Sequence, residues 1–324
     1  MSPGDGPSKG VPRFDVQLDA PDLDPWRAGN TGVPGFTSFT SRNPGPHVAI
    51  LALSHGNEIA GAIALERMLR DGLSPARGRL TFGFVNLAAF DRFDPRQPTL
   101  SRFVEEDINR AWDESLLNGP RRTVELDRAR EIRPLIDTVD VLLDLHSMLW
   151  PSDPLILCGR TKSGRNLASA IGTPDLVVAD DGHAGGRRLI DYSRFSEPGT
   201  PFAANLVEAG QHWRRSTVDA MLATVSALLL HLDMVSVQQC HLRPPPTQAH
   251  GIRMAEVTMT ITATTNSFAF VQPWRGGEVV RRRNTLLALD GSAEIRTPHD
   301  DCLLVMPSLR PSRGHTAVRL ARFV

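Results

Sequence analysis

The feature that most constrains this chain is a unit repeated through its first two thirds, in which a short unbroken apolar run precedes a stretch with helical spacing. Residues 47–53 (HVAILAL) show no polar alternation, which is the pattern of a strand buried on both faces. Residues 57–70 then read as a helix. The strand pattern returns at 80–86 (LTFGFVN) and 139–145 (VDVLLDL), with a helix-like segment over 123–138 that gathers Val124, Ile132, Leu135, Ile136 and Val139 on related faces. Further strands are expected at 155–158, 176–179 and 203–207. A helix over 216–232 repeats Val218, Met221, Leu222, Val225, Leu228, Leu229 and Leu232 at intervals of three and four, and Ser216 with Asp219 has the form of a capping box. Strands alternating with helices require crossover connections, so the expected fold is α/β with a mostly parallel central sheet.

The flanks have a different texture. Residues 1–43 are rich in Gly, Pro and Asp with little periodicity, and are expected to form an extended arm on the surface. After the helix that closes the central domain (44–239), a Pro triplet at 244–246, β-type alternation over 256–264 and glycines at 276, 277 and 291 predict a small β-rich C-terminal domain over 240–324. No repeat of solenoid or propeller period is present.

Composition narrows the partners. The chain's 36 basic and 36 acidic residues cancel, which leaves no charge excess for nucleic acid or an anionic membrane surface. Cys158, Cys240 and Cys302 are odd in number and lack the paired spacing of a zinc ribbon or a disulfide framework, so a reducing, cytoplasmic setting is expected. No apolar run approaches the roughly 18 residues of a membrane span, and the first residues lack the apolar core of a signal peptide. Charge does not name the partner, and homo-oligomerisation stays open.

Four short motifs carry chemistry. Ser54-His55-Gly56-Asn57-Glu58 puts an imidazole and a carboxylate three residues apart where the first buried strand gives way to a helix. Asp144-Leu145-His146-Ser147 puts a second imidazole at the end of another apolar strand. Ligands collect at the carboxyl ends of parallel strands, and two imidazoles with one carboxylate leave a zinc ion an open fourth position for water. Asp144 is placed to accept the free N–H of a ligand imidazole. The other two motifs, Arg102 to Arg110 (RFVEEDINR) and Val207-Glu208-Ala209-Gly210, are individually ordinary.

In this order the four motifs resemble the aspartoacylase and succinylglutamate desuccinylase family of zinc amidohydrolases, relatives of the zinc carboxypeptidases. His55-Gly56-Asn57-Glu58 is similar to the family's first metal motif, Asp107-Ile108-Asn109-Arg110 to its Asp-Leu-Asn-Arg motif, Asp144-Leu145-His146 to its second metal motif and Val207-Glu208-Ala209-Gly210 to its base motif. The resemblance covers roughly residues 47 to 232. It implies a carboxypeptidase-like α/β/α sandwich with a β-rich C-terminal appendage, and one zinc ion per chain held by His55, Glu58 and His146. It further implies Glu208 as general base and Arg102, eight residues before Arg110, as the group that polarises the substrate carbonyl. Asn109 and Arg110 would hold a substrate carboxylate. Tyr192 and Arg194 are the nearest candidates for an acyl carboxylate, although Arg194 stands 14 residues before Glu208, a longer spacing than the family's. The implied reaction is hydrolysis of an amide in an N-acylated amino acid or a related small carboxylate-bearing amide.

Two other readings stand beside it. A zinc carboxypeptidase would use a similar ligand set, but it is expected to end soon after its base, whereas more than a hundred residues follow Glu208. A non-catalytic metal-binding relative would not need Arg102 and Glu208 kept together with the ligands. The Gly-rich stretch 180–188 reads as a surface loop, or as a lid that touches substrate. Tyr192 is the only tyrosine, so the C-terminal region can supply none to the site.

Overall fold

The computed structural model describes residues 14–183, 185–236 and 251–324. Fourteen strands appear among them: β1 (Phe36–Thr40), β2 (His47–Ala52), β3 (Arg79–Phe84), β4 (Val141–Met148), β5 (Leu155–Leu157), β6 (Leu176–Ala179), β7 (Ala203–Gln211), β8 (Arg253–Thr262), β9 (Phe268–Phe270), β10 (Val279–Val280), β11 (Leu286–Asp290), β12 (Ala293–Arg296), β13 (Cys302–Val305) and β14 (Thr316–Phe323). The helices are α1 (Ile59–Arg70), α2 (Leu87–Phe90), α3 (Glu114–Leu117), α4 (Val124–Ile136), α5 (Lys162–Ile171), α6 (Ser193–Ser196) and α7 (Arg215–His231).

The α/β fold expected from the alternation is present. One 11-stranded sheet runs in the order β1-β3-β2-β4-β7-β5-β6-β8-β14-β13-β10, and β9, β11 and β12 form a separate three-stranded sheet. The pairs β3–β2, β2–β4, β4–β7, β5–β6 and β6–β8 are parallel, whereas β5 runs antiparallel to β7. Because successive strand residues face opposite ways, β2 feeds two cores. Val48, Ile50 and Ala52 pack with residues of α1, α5 and α7, and Ala49 and Leu51 pack with the apolar stripe of α4. That two-sided burial is why the strand reads as an unbroken apolar run. The β-rich C-terminal region continues the same sheet through the parallel pairing of β8 with β6, and β14, β13 and β10 extend it antiparallel. The Pro triplet and Cys240 lie outside the described residues.

Three features differ from the sequence reading. Helix α7 starts at Arg215, with Arg214 at its N-cap and no side-chain cap, so Ser216 and Asp219 form no capping box. The hydroxyl of Thr217 instead donates to the Gln211 carbonyl, tying the helix start to the end of β7. Within the stretch expected as an arm, Phe36–Thr40 pairs with β3 as an edge strand, anchored by the fully buried Phe36. Helix α5 was not anticipated. Its apolar contribution is only Leu167, Ala168 and Ile171, and it is defined by ends: Thr161 Oγ1 accepts from Gly164 N–H, and Gly172 takes a left-handed conformation at its close. Among the described residues no helix is long and apolar enough to cross a membrane.

Candidate metal centre and active site

The ends of three adjacent strands build the site. In register, Ala52 of β2 lies beside Leu145 of β4, and His146 lies beside Glu208 of β7. The chain leaves β2 through Ser54, His55 and Gly56, and α1 begins after Glu58. A Cβ on Gly56 would stand 2.3 Å from the Ala89 carbonyl carbon, so only glycine lets this turn pass under α2.

His55, Glu58 and His146 are all buried, and each offers a ligand atom within 4.8 Å of the others. Glu58 lies between the rings: its Oε1 is 2.7 Å from His55 Nδ1, and its Oε2 is 3.2 Å from His146 Nδ1. The Ser147 amide donates to Oε2 at 2.9 Å. The far nitrogen of each ring meets its own carboxylate, His55 Nε2 at 2.8 Å from Asp107 Oδ1 and His146 Nε2 at 2.8 Å from Asp144 Oδ2. In the tautomer with the proton on Nε2, both Nδ1 lone pairs would point toward Glu58, where one cation could be shared. Two neutral imidazoles and a carboxylate, each ring oriented from behind, form a donor set that suits zinc.

In the metal-free chain the electrostatics favour ionised carboxylates and a charged His146, a positive charge that a cation would replace. Burial pushes the Glu58 carboxyl up, but the two imidazoles outweigh it and hold the group well below the usual carboxylate range. Burial lowers His146, yet Asp144 and Glu58 raise it well above an ordinary histidine. Asp107 is likewise held well down, with His55 and Arg102 overcoming its burial. Glu208 behaves oppositely. Burial, reinforced by the nearby Glu58 charge, pushes its carboxyl to about 8.

The third motif wraps the outer side. Arg102, with its side chain 36% exposed, places Nη2 3.0 Å from Asp107 Oδ2 and 2.8 Å from His55 Nε2. The loop is held by the buried carboxylate of Glu125, which accepts backbone N–H groups of Val104, Glu105 and Glu106 at 2.6, 3.1 and 3.2 Å. Asn109 is buried, its Oδ1 accepting from Leu189 N–H at 2.8 Å while its amide nitrogen lies 3.5 Å from His146 Nε2. Arg110 donates from Nη1 to the Asn109 carbonyl and keeps Nη2 3.8 Å from Asp107. The Gly-rich loop lies against this motif: Trp112 N–H donates to the Arg187 carbonyl, and a Cβ on Gly186 would stand 2.3 Å from Arg110 O.

The structure therefore brings His55, Glu58, Arg102, Asn109, Arg110, Asp144, His146 and Glu208 to one place. It does not bring Tyr192 and Arg194 there. Tyr192 is buried, donates to Asp137 Oδ1 at 2.8 Å and accepts from Arg133 Nε at 3.0 Å, beyond the end of α4. Arg194 donates to the Val139 carbonyl at 2.6 Å and stacks over Phe202. Both bind the amino-terminal approach to β4, whose residues from Val141 to His146 span about 16 Å of strand. Asp107, to which the sequence reading gave no individual role, is the partner of His55; the signal for it was its place opening the motif that ends in Arg110.

Fold and site together define an α/β protein with a three-ligand candidate metal centre at the carboxyl ends of a parallel sheet, flanked by a carboxylate on the next strand. Residues 44–232 match the family model of the succinylglutamate desuccinylase/aspartoacylase catalytic domain, and the chain belongs to that family, whose activity is acyl-amide hydrolysis. An aspartoacylase from Xenopus tropicalis is 30% identical over 116 residues, a match that spans 32% of this chain and 35% of that relative's length. The succinylglutamate desuccinylase from Vibrio cholerae superposes with a TM-score of 0.68 at 18% identity, over 90% of this chain and 86% of that one. A succinylglutamate desuccinylase/aspartoacylase from Rhodobacter sphaeroides gives 0.65 at 19% identity, over 89% of each chain.

Proposed function

We propose that the protein hydrolyses the amide bond of an N-acylated amino acid, or of a related small carboxylate-bearing amide, using one zinc ion held by His55, Glu58 and His146. The observation that carries this reading is the facing of two Nδ1 atoms across Glu58, with Glu208 in register beside His146. A bound zinc ion supplies a Lewis acid that acidifies water and polarises a carbonyl at this spot.

The chain's own residues do the rest. Glu208 takes the proton of the attacking water and passes it to the leaving amine, so that a carboxylic acid and an amine are released. Its Oε2 has no hydrogen-bond partner among the described residues, which leaves that oxygen free for this exchange. Burial and the Glu58 charge raise its carboxyl to about 8, and positive charge held by the three ligands would act in the opposite direction. Arg102, at the more open side, faces the oxygen that gains charge as the carbonyl becomes tetrahedral, a contribution typically worth roughly 3–4 kcal/mol. Asp107 and Asp144 hold the ring tautomers. Asn109 and Arg110 bind a substrate carboxylate, the guanidinium matching its two oxygens.

In this reading residues 44–239 form the catalytic domain, between an N-terminal arm (1–43) and a β-rich C-terminal domain (240–324), and the protein works in the cytoplasm on small molecules. Dialysis against a chelator is expected to abolish hydrolysis of N-acyl amino acids, and added zinc to restore it. Undiminished activity in the chelated protein would refute the proposal.

A further inference from the structure

Arg319 is a buried arginine that the chemistry above leaves unused. On β14, Val318 and Leu320 pack into the cluster with Val280, Leu287 and Leu304, so Arg319 points to the opposite face, where Ala321 joins the core with Leu303 and Val305. Its side chain is only 8% exposed there. Its Nε has no hydrogen-bond partner among the described residues. The acid it faces, Asp180 Oδ2 at 3.7 Å, already accepts from Arg188, which holds Asp180 by two bonds of 2.9 and 2.6 Å. A guanidinium taken out of water and left without a full partner is costly, and so unusual that it calls for a ligand.

The surroundings say where that ligand sits. The loop carrying Asp180 also carries His183, whose Nε2 is 3.4 Å from Thr316 Oγ1 on β14. Two residues on, a Cβ at Gly185 would stand 3.9 Å from Arg110 Cδ. Arg110 and Arg319 thus both border the loop that carries Asp180, His183 and Gly185. Burial lowers Arg110 to about 10, and the Arg188 and Arg319 charges add to that pressure. Burial also lowers Arg319, while Asp180 and Glu208 are among the acids that attract it.

We propose that Arg319 is a further substrate-binding residue, which joins Arg110 in gripping one carboxylate of the substrate. A carboxylate fits because two planar guanidinium groups can each offer it parallel N–H donors away from water. This inference rests on the hydrolase reading for the identity of the ligand, and not for the orphaned group itself.

The test uses full-length, zinc-loaded protein and a panel of N-acetyl and N-succinyl amino acids, each beside analogues in which one carboxylate is replaced by a carboxamide. For the best substrate the native protein is expected to prefer one carboxylate over its carboxamide by about 100-fold in kcat/KM, a scale set by loss of a charged hydrogen-bonded partner. Arg319→Met should reduce that preference to within about threefold, mainly through KM. Arg319→Lys, which keeps the charge but not the fork, should lose about tenfold on the carboxylate and serves if the Met variant does not fold. Preference retained in both folded variants would overturn the proposal. If nothing in the panel is hydrolysed, the parent reading fails, and calorimetric binding of the same carboxylates decides this one: weaker binding to Arg319→Lys than to native protein supports it, and equal or absent binding in both overturns it.

Discussion

Replacing Glu208 by glutamine separates catalysis from stability. In the zinc-free protein burial and the Glu58 charge raise the Glu208 carboxyl from 4.5 to about 8, so the folded state holds a proton that the unfolded chain has released between those two values. The sign follows from linkage: a carboxyl raised on folding favours the native state below the unfolded pKa and costs stability as pH rises toward the folded one. At pH 7 the penalty covers the interval from 4.5 upward, between about 3 and 4 kcal/mol at about 1.36 kcal/mol per unit. Glutamine has the same shape and no such penalty. Thermal unfolding of the chelated Glu208→Gln protein is therefore expected at a higher temperature than native protein at pH 7, with the gap closing near pH 4.5. In the zinc-loaded protein the same variant should bind the metal but lose about 10²–10⁴-fold in kcat, the range for a positioned general base. A variant that is less stable than native at pH 7, or that turns over substrate normally, would refute the assignment.

Other expectations concern the groups around the ligands. Asp144→Asn and Asp107→Asn, which weaken the acceptors behind His146 and His55, should each lower zinc affinity by about 10–100-fold, measured by competition with a chromophoric chelator; unchanged affinity would show that these carboxylates do not orient the rings. Tyr192→Phe removes a hydroxyl bonded to Asp137 and Arg133, and should cost about 1 kcal/mol in urea unfolding while leaving KM unchanged. A raised KM for that variant would return Tyr192 to the substrate site.

Much of the site was legible because its residues lie where local pattern changes. His55 and His146 follow strands buried on both faces, and such strands announce themselves as unbroken apolar runs whose ends are easily found. Glu208 was visible for the same reason. What sequence could not show is direction across the sheet. Arg319 stands between Ala317-Val318 and Leu320-Ala321, and whether it faces water or the interior depends on how β14 joins β8, a contact made only in the folded chain. Tyr192 and Arg194 were the nearest candidates before Glu208, at a longer interval than the family's, and the chain between them runs back to the start of β4, so proximity in sequence did not become proximity in space. Helix α5 escaped because few of its residues are apolar, and its caps, not its periodicity, define it.

The most direct measurement is X-ray absorption at the zinc edge on protein loaded with one equivalent of zinc, compared with His146→Ala. The account predicts one tightly held ion per chain with two imidazole nitrogens and oxygen donors at about 2.0–2.2 Å, and the loss of one imidazole in the variant. Sulfur in the coordination sphere, or a spectrum indifferent to removal of His146, would contradict it.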